Sequence, residues 1–215
     1  LSINLQEVYR RLLSRFGPQG WWPAETAFEV AVGAILTQKT DWRNAAKAVE
    51  RLRGAGLLDP EALASTPTER VSSLIRGTGF YREKAERVRR LARFLLERYG
   101  GSMERMFEEP LEKIRKELLS LRGIGPETAD VILLYAGDKP IFPIDLYTTR
   151  MTERLGLEAK SYGELQRLFM DQLPRDVEVY KEMHALIDLL GRRHCRAKPR
   201  CEGCPLREPC RASKG

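Results

Sequence analysis

The first 194 residues of this chain contain no cysteine, so no disulfide framework runs through the body of the fold. Asn occurs only twice among 215 residues while 31% are charged, a combination that fits a heat-adapted source. No apolar run approaches the roughly 18–20 residues of a membrane span, so no membrane partner is expected. No positively charged start leads into an apolar stretch, so no signal peptide is visible in the given residues. Strand signals are almost absent, and no repeat or low-complexity segment stands out. A hydrophobic fraction of 42% argues against disorder. A chain of this length buries roughly 70% of its unfolded surface without staples.

What is abundant is positive charge. Lys and Arg number 37 against 30 Asp and Glu, for a net charge of +7. Two stretches concentrate it. From Gly191 to Gly215 there are eight basic residues (Arg192, Arg193, Arg196, Lys198, Arg200, Arg207, Arg211, Lys214) against two acidic ones. From Arg82 to Arg98 there are seven against three. Clustered cations are the footprint of a polyanion binder. A solvated helix face would carry the same run.

All four cysteines sit in one window. Cys195, Cys201, Cys204 and Cys210 are spaced C-x5-C-x2-C-x5-C. Two disulfides are disfavoured for a lone cluster on a large, intracellular-looking chain. Zinc takes four tetrahedral ligands, usually as two close Cys pairs, and here only Cys201 and Cys204 form one. Four thiolates on a tight loop also suit a [4Fe–4S] cube. The spacing leaves cluster and zinc both open. Pro199, Pro205 and Pro209 interleave with the cysteines, as a wrapped loop that cannot continue as helix requires.

The rest reads as helices, and the fold class is all-α. Apolar residues recur at helical spacing in Leu5–Phe16, Ala27–Leu36, Ala45–Leu52, Val71–Ile75, Arg82–Tyr99, Leu111–Leu121 and Glu127–Ala136. They recur again in Leu146–Leu155, Tyr162–Gln172 and Val179–Leu190. Thr66-Pro67-Thr68-Glu69 reads as a capped helix start with Pro in the first turn. One connection stands apart. Leu121-Arg122-Gly123-Ile124-Gly125-Pro126-Glu127 joins two apolar helices through Gly-x-Gly. Both glycines permit positive φ and bare backbone near a ligand. The helix that follows presents its N–H groups outward, a phosphate-binding device blind to base identity. A plain tight helix turn has the same composition.

These residues carry a resemblance. Leu121-Arg122-Gly123-Ile124-Gly125, then Ile144-Asp145, then the four-cysteine loop, resemble the helix-hairpin-helix DNA glycosylase superfamily, endonuclease III branch. Ile35-Leu36-Thr37-Gln38-Lys39-Thr40-Asp41 resembles the family's segment whose Gln enters the space left by a flipped base. Gly79-Phe80-Tyr81-Arg82-Glu83-Lys84-Ala85 resembles its wedge loop, with Phe80 at the intercalating position. His184 through Cys195 resembles the helix entering the cluster. Trp21-Trp22-Pro23, Trp42, Glu127 and Ala129-Asp130 are similar to the bacterial 3-methyladenine glycosylases of endonuclease III type. The resemblance implies a six-helix barrel at 19–137, with the hairpin at 111–136. It implies a second domain joining residues 1–18 to a cluster half at 138–215, with the DNA cleft between the two.

The same resemblance implies the site. Asp145 and Glu127 fall on catalytic positions. Trp21, Trp22, Trp42 and Tyr147 fall on the base pocket. Gln38, Phe80, Lys84, Gly123, Gly125 and Arg193 fall on DNA contacts. Cys195, Cys201, Cys204 and Cys210 fall on ligands of a [4Fe–4S] cluster, zinc remaining the alternative. Two departures matter. Bifunctional members carry a Lys two residues after the second hairpin Gly, where it attacks the sugar as a Schiff-base nucleophile. Glu127 stands there instead and cannot form an imine. The first Cys gap is five residues where the family shows six.

The expectation is therefore a monomeric, monofunctional glycosylase acting on damaged double-stranded DNA, in the cytoplasm and nucleoid of a prokaryote. Alkylated purine, chiefly 3-methyladenine, is the expected substrate. Mismatched thymine or uracil, or a deaminated or oxidised base, is the alternative. A non-catalytic DNA-structure binder and a zinc-stabilised structural protein are readings of another class. Each residue also has a plainer reading. Asp145 suits a helix N-cap, Glu127 a helix N-terminus, Tyr147 a helix surface, and Trp21 and Trp22 a core lid. His184 and His194 read as structural, having no partner at ligand or triad spacing.

Overall fold

The computed structural model describes residues 3–157 and 159–213, so Lys214 of the basic tail lies outside the described residues. The described residues form twelve α-helices and no strand. In chain order these are α1 (Leu5–Phe16), α2 (Ala27–Leu36), α3 (Trp42–Gly54), α4 (Pro60–Ser65), α5 (Thr68–Leu74) and α6 (Tyr81–Tyr99). There follow α7 (Met103–Glu108), α8 (Leu111–Ser120), α9 (Pro126–Gly137), α10 (Leu146–Leu155), α11 (Tyr162–Gln172) and α12 (Val177–Arg193). Single 3-10 turns span Arg76–Thr78 and Arg211–Ser213. No helix among the described residues is long and apolar enough to cross a membrane.

Local chemistry sets the helix starts. Asn4, Thr26, Asp41, Asp59, Ser102, Asp145, Ser161 and Asp176 each accept a backbone N–H of the first helical turn. Each such cap is worth about 1 kcal/mol. At α5 the expected cap is corrected. Pro67 holds the N-cap position with no side-chain bond, and Thr66 closes α4 instead, its hydroxyl donating to the Ala62 carbonyl at 2.7 Å. The short α4 and α7 have too few turns to show a period and escape the sequence pattern.

The chain divides into two compact units. One holds Leu1–Pro23 with Pro140–Gly215, and the other holds Ala24–Lys139. The sequence boundaries lay after residues 18 and 137, which put Trp21 and Trp22 in the middle unit. The contacts of this linker run the other way. The Gln19 N–H donates to Glu182 at 2.7 Å, and the Arg192 guanidinium lies 5.9 Å from the Trp21 ring centroid.

In the unit Ala24–Lys139, α2 and α9 pack together and are buried on nearly every side. Helices apolar all round belong at the centre of a helical layer. The amphipathic α6 packs against α4 and α5, with Val88, Leu91, Ala92 and Leu95 inward. In the other unit, α12 packs on α1 and α10. Phe142 stacks on Phe169 at 4.3 Å and meets Tyr180 edge-on at 5.7 Å, anchoring the approach to α10.

Candidate functional site

In the unit Ala24–Lys139, three loops carry the sequence-predicted contacts. Gln38 follows the end of α2. Its Nε2 donates to the Gly123 carbonyl at 3.0 Å and to Thr128 Oγ1 at 2.8 Å. Its Oε1 accepts from Arg87 of α6. The α2 loop is thereby tied to the hairpin between α8 and α9.

The hairpin uses its two glycines differently from the expectation. Gly123 adopts φ +96°, and a Cβ there would stand 2.5 Å from Arg87 Nε. Gly125 is extended at φ −93°, and a Cβ there would meet open space. Only Gly123 needs glycine's freedom. Ile124 between them is 5% exposed and pins the turn. Gly125 offers no side-chain cap and Pro126 has no N–H, so α9 starts with bare backbone. Glu127 is exposed in its first turn, where a carboxylate complements the helix dipole.

Phe80 is 60% exposed and sits at φ +45°, while Lys39 on the α2 loop sits at φ +52°. For residues with a side chain, this left-handed backbone costs roughly 1–3 kcal/mol. The Lys39 ammonium lies 5.8 Å from the Phe80 ring centroid, within cation–π reach. The two loops thus meet at their strained residues.

Lys84 requires a correction. The sequence resemblance assigns it to DNA, yet it has no exposed surface. Its ammonium donates to the Leu36 and Thr78 carbonyls, each at 2.8 Å. Burial, with Arg87 adding a like charge, lowers its pKa to about 8. A phosphate cannot reach it. Trp42 opens α3 directly after the Asp41 cap and is half-buried.

In the other unit, Asp145 caps α10. Its Oδ1 accepts from the Thr148 N–H at 2.6 Å and from the Thr148 hydroxyl at 2.7 Å. Its Oδ2 lies 3.8 Å from His184 Nε2. Burial holds the His184 pKa below the usual imidazole range although Asp145 pulls the other way. The sequence reading gave His184 no partner. The pair joins α10 to α12, and no spacing rule finds it. Leu146, beside Asp145, is 66% exposed and was also missed.

Tyr147 packs its ring on the bare backbone of Gly191 in α12, and burial raises its hydroxyl pKa. Trp21 and Trp22 stand edge to face at 5.8 Å. Arg193 is exposed, with its guanidinium 5.7 Å from the Phe16 ring centroid.

Cys195, Cys201, Cys204 and Cys210 are unbridged, half-buried, and line one cavity of about 30 Å³ with Met151, Leu155, Leu190 and Leu206. Among the described residues no three His, Cys, Asp or Glu side chains close around a metal-ion position. Four sulfurs on one apolar cavity are nevertheless the donor set of a soft metal group. Burial raises the Cys195 and Cys204 pKa values, so their thiolates call for a positive partner. Arg154 Nη1 donates to Cys195 Sγ at 3.2 Å and its Nη2 to the Ala197 carbonyl at 3.1 Å.

Residues 32–175 match the family model described as HhH-GPD superfamily base excision DNA repair protein. A provisionally named DNA repair glycosylase of Methanocaldococcus jannaschii is 43% identical over 209 residues, covering 96% of this chain and 95% of the relative. The solved structure of a trapped endonuclease III–DNA covalent intermediate is 27% identical with a TM-score of 0.83, covering 98% of this chain and 95% of that one. The H. pylori 3-methyladenine DNA glycosylase MagIII, bound to 1,N6-ethenoadenine, is also 27% identical, with a TM-score of 0.80. That match covers 88% of this chain and 98% of that one.

Proposed function

The chain belongs to the HhH-GPD superfamily of base excision DNA repair proteins, in its endonuclease III branch, and from that membership we propose a monofunctional glycosylase for alkylated purines, chiefly 3-methyladenine. A base in a duplex must leave the stack before its glycosidic bond can be attacked. Phe80, exposed on a strained loop, is the side chain suited to enter the stack. Gln38, on the α2 loop whose Lys39 meets Phe80, would occupy the vacated space. The bare start of α9 at Gly125 suits a phosphate, as do exposed cations such as Arg193. In this reading Trp21, Trp22, Trp42 and Tyr147 offer aromatic faces to the base. A cationic alkylpurine gains about 0.5–2 kcal/mol from each such face.

Asp145 carries the reaction. The glycosidic C–N bond breaks with its electron pair leaving on the purine, which departs neutral. The ionised carboxylate faces the developing positive charge on the sugar. Water then adds to the sugar carbon and gives its proton to the carboxylate. The observation that supports this role is the double fixing of Oδ1 by Thr148. It holds the carboxylate in one orientation with Oδ2 left toward His184. Glu127, where an imine-forming Lys would be needed, supports hydrolysis without sugar cleavage.

Cys195, Cys201, Cys204 and Cys210 would hold a [4Fe–4S] cluster, which supplies a brace for the basic loop and no step of the hydrolysis. The same reading makes the protein a monomer on damaged double-stranded DNA, working beside a prokaryotic chromosome. Iron and sulfide assays with visible spectra separate cluster from zinc: colourless, iron-free protein with one zinc per chain would overturn the cluster.

Methylated duplex DNA tests the activity, with released bases identified and strand breaks scored before and after alkali. The expected result is 3-methyladenine release with breaks only after alkali, reduced at least ~10²-fold in Asp145→Asn. No release would overturn the substrate and turn attention to mismatched and deaminated duplexes. Breaks without alkali would overturn the monofunctional reading.

A further inference from the structure

The basic run of α6 does something its charge alone does not suggest. Lys84, Arg87 and Arg90 follow one another at three-residue spacing along one flank of the helix. Between them they reach three loops, with overlapping attachments. Lys84 holds the Leu36 carbonyl at the end of α2 and the Thr78 carbonyl before Gly79 and Phe80. Arg87 donates to Gln38 and lies over the Cα of Gly123. Arg90 donates to the Arg122 carbonyl at 2.6 Å. The α2 loop, the Phe80 loop and the hairpin are all tied to one rigid helix by cations whose acceptors are protein groups.

We propose that Lys84, Arg87 and Arg90 form a positioning rail that fixes the Gln38 loop, the Phe80 loop and the hairpin relative to one another, so that all three engage a lesion as one rigid surface. Three features carry it. Lys84 is wholly buried and spans two loops with two short bonds, so moving one loop breaks a bond to the other. Glycine at 123 leaves room for the Arg87 side chain. The positive-φ residues Lys39 and Phe80 sit on the two loops that Lys84 joins, where strain persists only if the surroundings over-determine it. The rail contacts no base and no sugar itself. The proposal rests on the reading that these loops enter DNA.

The test compares affinity for a duplex carrying a tetrahydrofuran abasic analogue with affinity for the undamaged duplex. Fluorescence of 2-aminopurine opposite the analogue reports unstacking. Circular dichroism and cooperative melting confirm folding of each variant. Lys84→Met and Arg90→Met are expected to lower the abasic-to-undamaged affinity ratio about tenfold and to abolish the fluorescence rise, with undamaged binding within about twofold. Arg90 is half-exposed, so Arg90→Met keeps the test open if Lys84→Met does not fold. Arg93→Met, one exposed cation further along α6, is expected to leave the ratio unchanged. Phe80→Ala separates the two levels. If Phe80→Ala lowers the ratio and the folded rail variants keep it, the rail is overturned and the insertion reading stands. If Phe80→Ala keeps the ratio, the insertion reading fails and the rail with it. Equal loss on both duplexes in Lys84→Met or Arg90→Met would reduce these cations to general binding or folding and overturn the proposal.

Discussion

The two basic runs have similar charge density and opposite destinations. Along α6 the cations mostly turn toward the protein. Lys84 is buried, Arg87 and Arg90 are half-buried on loop acceptors, and Arg89 donates to Thr68 Oγ1 and the Ala64 carbonyl. In the tail, Arg196, Lys198, Arg200 and Arg207 are exposed around the cysteine loop. The first run directs its hydrogen bonds to neighbouring loops and helices. The second is free to meet counterions or phosphates. A sum of charges would treat them alike. The second leaves its cations on the surface, and the first, apart from exposed residues such as Arg82 and Arg93, turns them inward onto protein acceptors.

That contrast breaks most clearly at Arg89. Its side chain is 12% exposed, and Arg89→Met removes charge-assisted bonds to α4 and α5. Stability is expected to fall by about 2 kcal/mol, read as a drop in the urea midpoint. A loss under ~0.5 kcal/mol would mean that α6 is an ordinary solvated face.

Lys84 sharpens the comparison through pH. Its folded pKa, about 8, lies below the unfolded value, so above pH 8 the unfolded chain binds the extra proton. Stability contributed by this group is expected to rise between pH 8 and roughly 10.4, and to be flat below pH 8. Lys84→Met should lack that rise, as urea midpoints at pH 7.5 and 10 would record. A neutral amine keeps two N–H donors for its two carbonyls. Loop positioning is therefore expected to survive deprotonation.

The smallest stability effect belongs to the tail. Replacing Arg196, Lys198 and Arg200 together by Gln should leave melting within about 0.5 kcal/mol of wild type. The slope of log affinity against log salt on undamaged duplex should become shallower, by up to about 0.9 per lost phosphate contact. An unchanged slope would remove the tail from the DNA surface.

Much of this was legible in the chain. The periods of α1, α2, α8, α10 and α11 were read almost to the residue, because their apolar spacing is clear; Asn4, Thr26, Asp145 and Ser161 cap four of them, and Pro110 starts α8 without a side-chain bond. The hairpin and the cysteine loop were legible because glycine, proline and cysteine act locally. What escaped was long-range. Lys84 reads as one more surface cation, since a lysine stem reaches inward or outward with the same sequence signature. His184 reads as a core residue because its neighbour Asp145 arrives from another helix. Gly125 reads like Gly123, although only one of them turns left-handed.

One glycine couples two parts of the protein that the sequence keeps far apart. The ring of Tyr147 occupies the space where a side chain at Gly191 would begin. Tyr147 lies two residues beyond Asp145 on α10, and Gly191 lies four residues before Cys195 on α12. A single methyl group at 191 would wedge the helices apart as a spacer under a hinge displaces both leaves. The carboxylate at one end and the sulfur at the other would shift together. On the proposed reading, an inherited change there would act as a double lesion, in catalysis and in cluster retention, although it touches neither group.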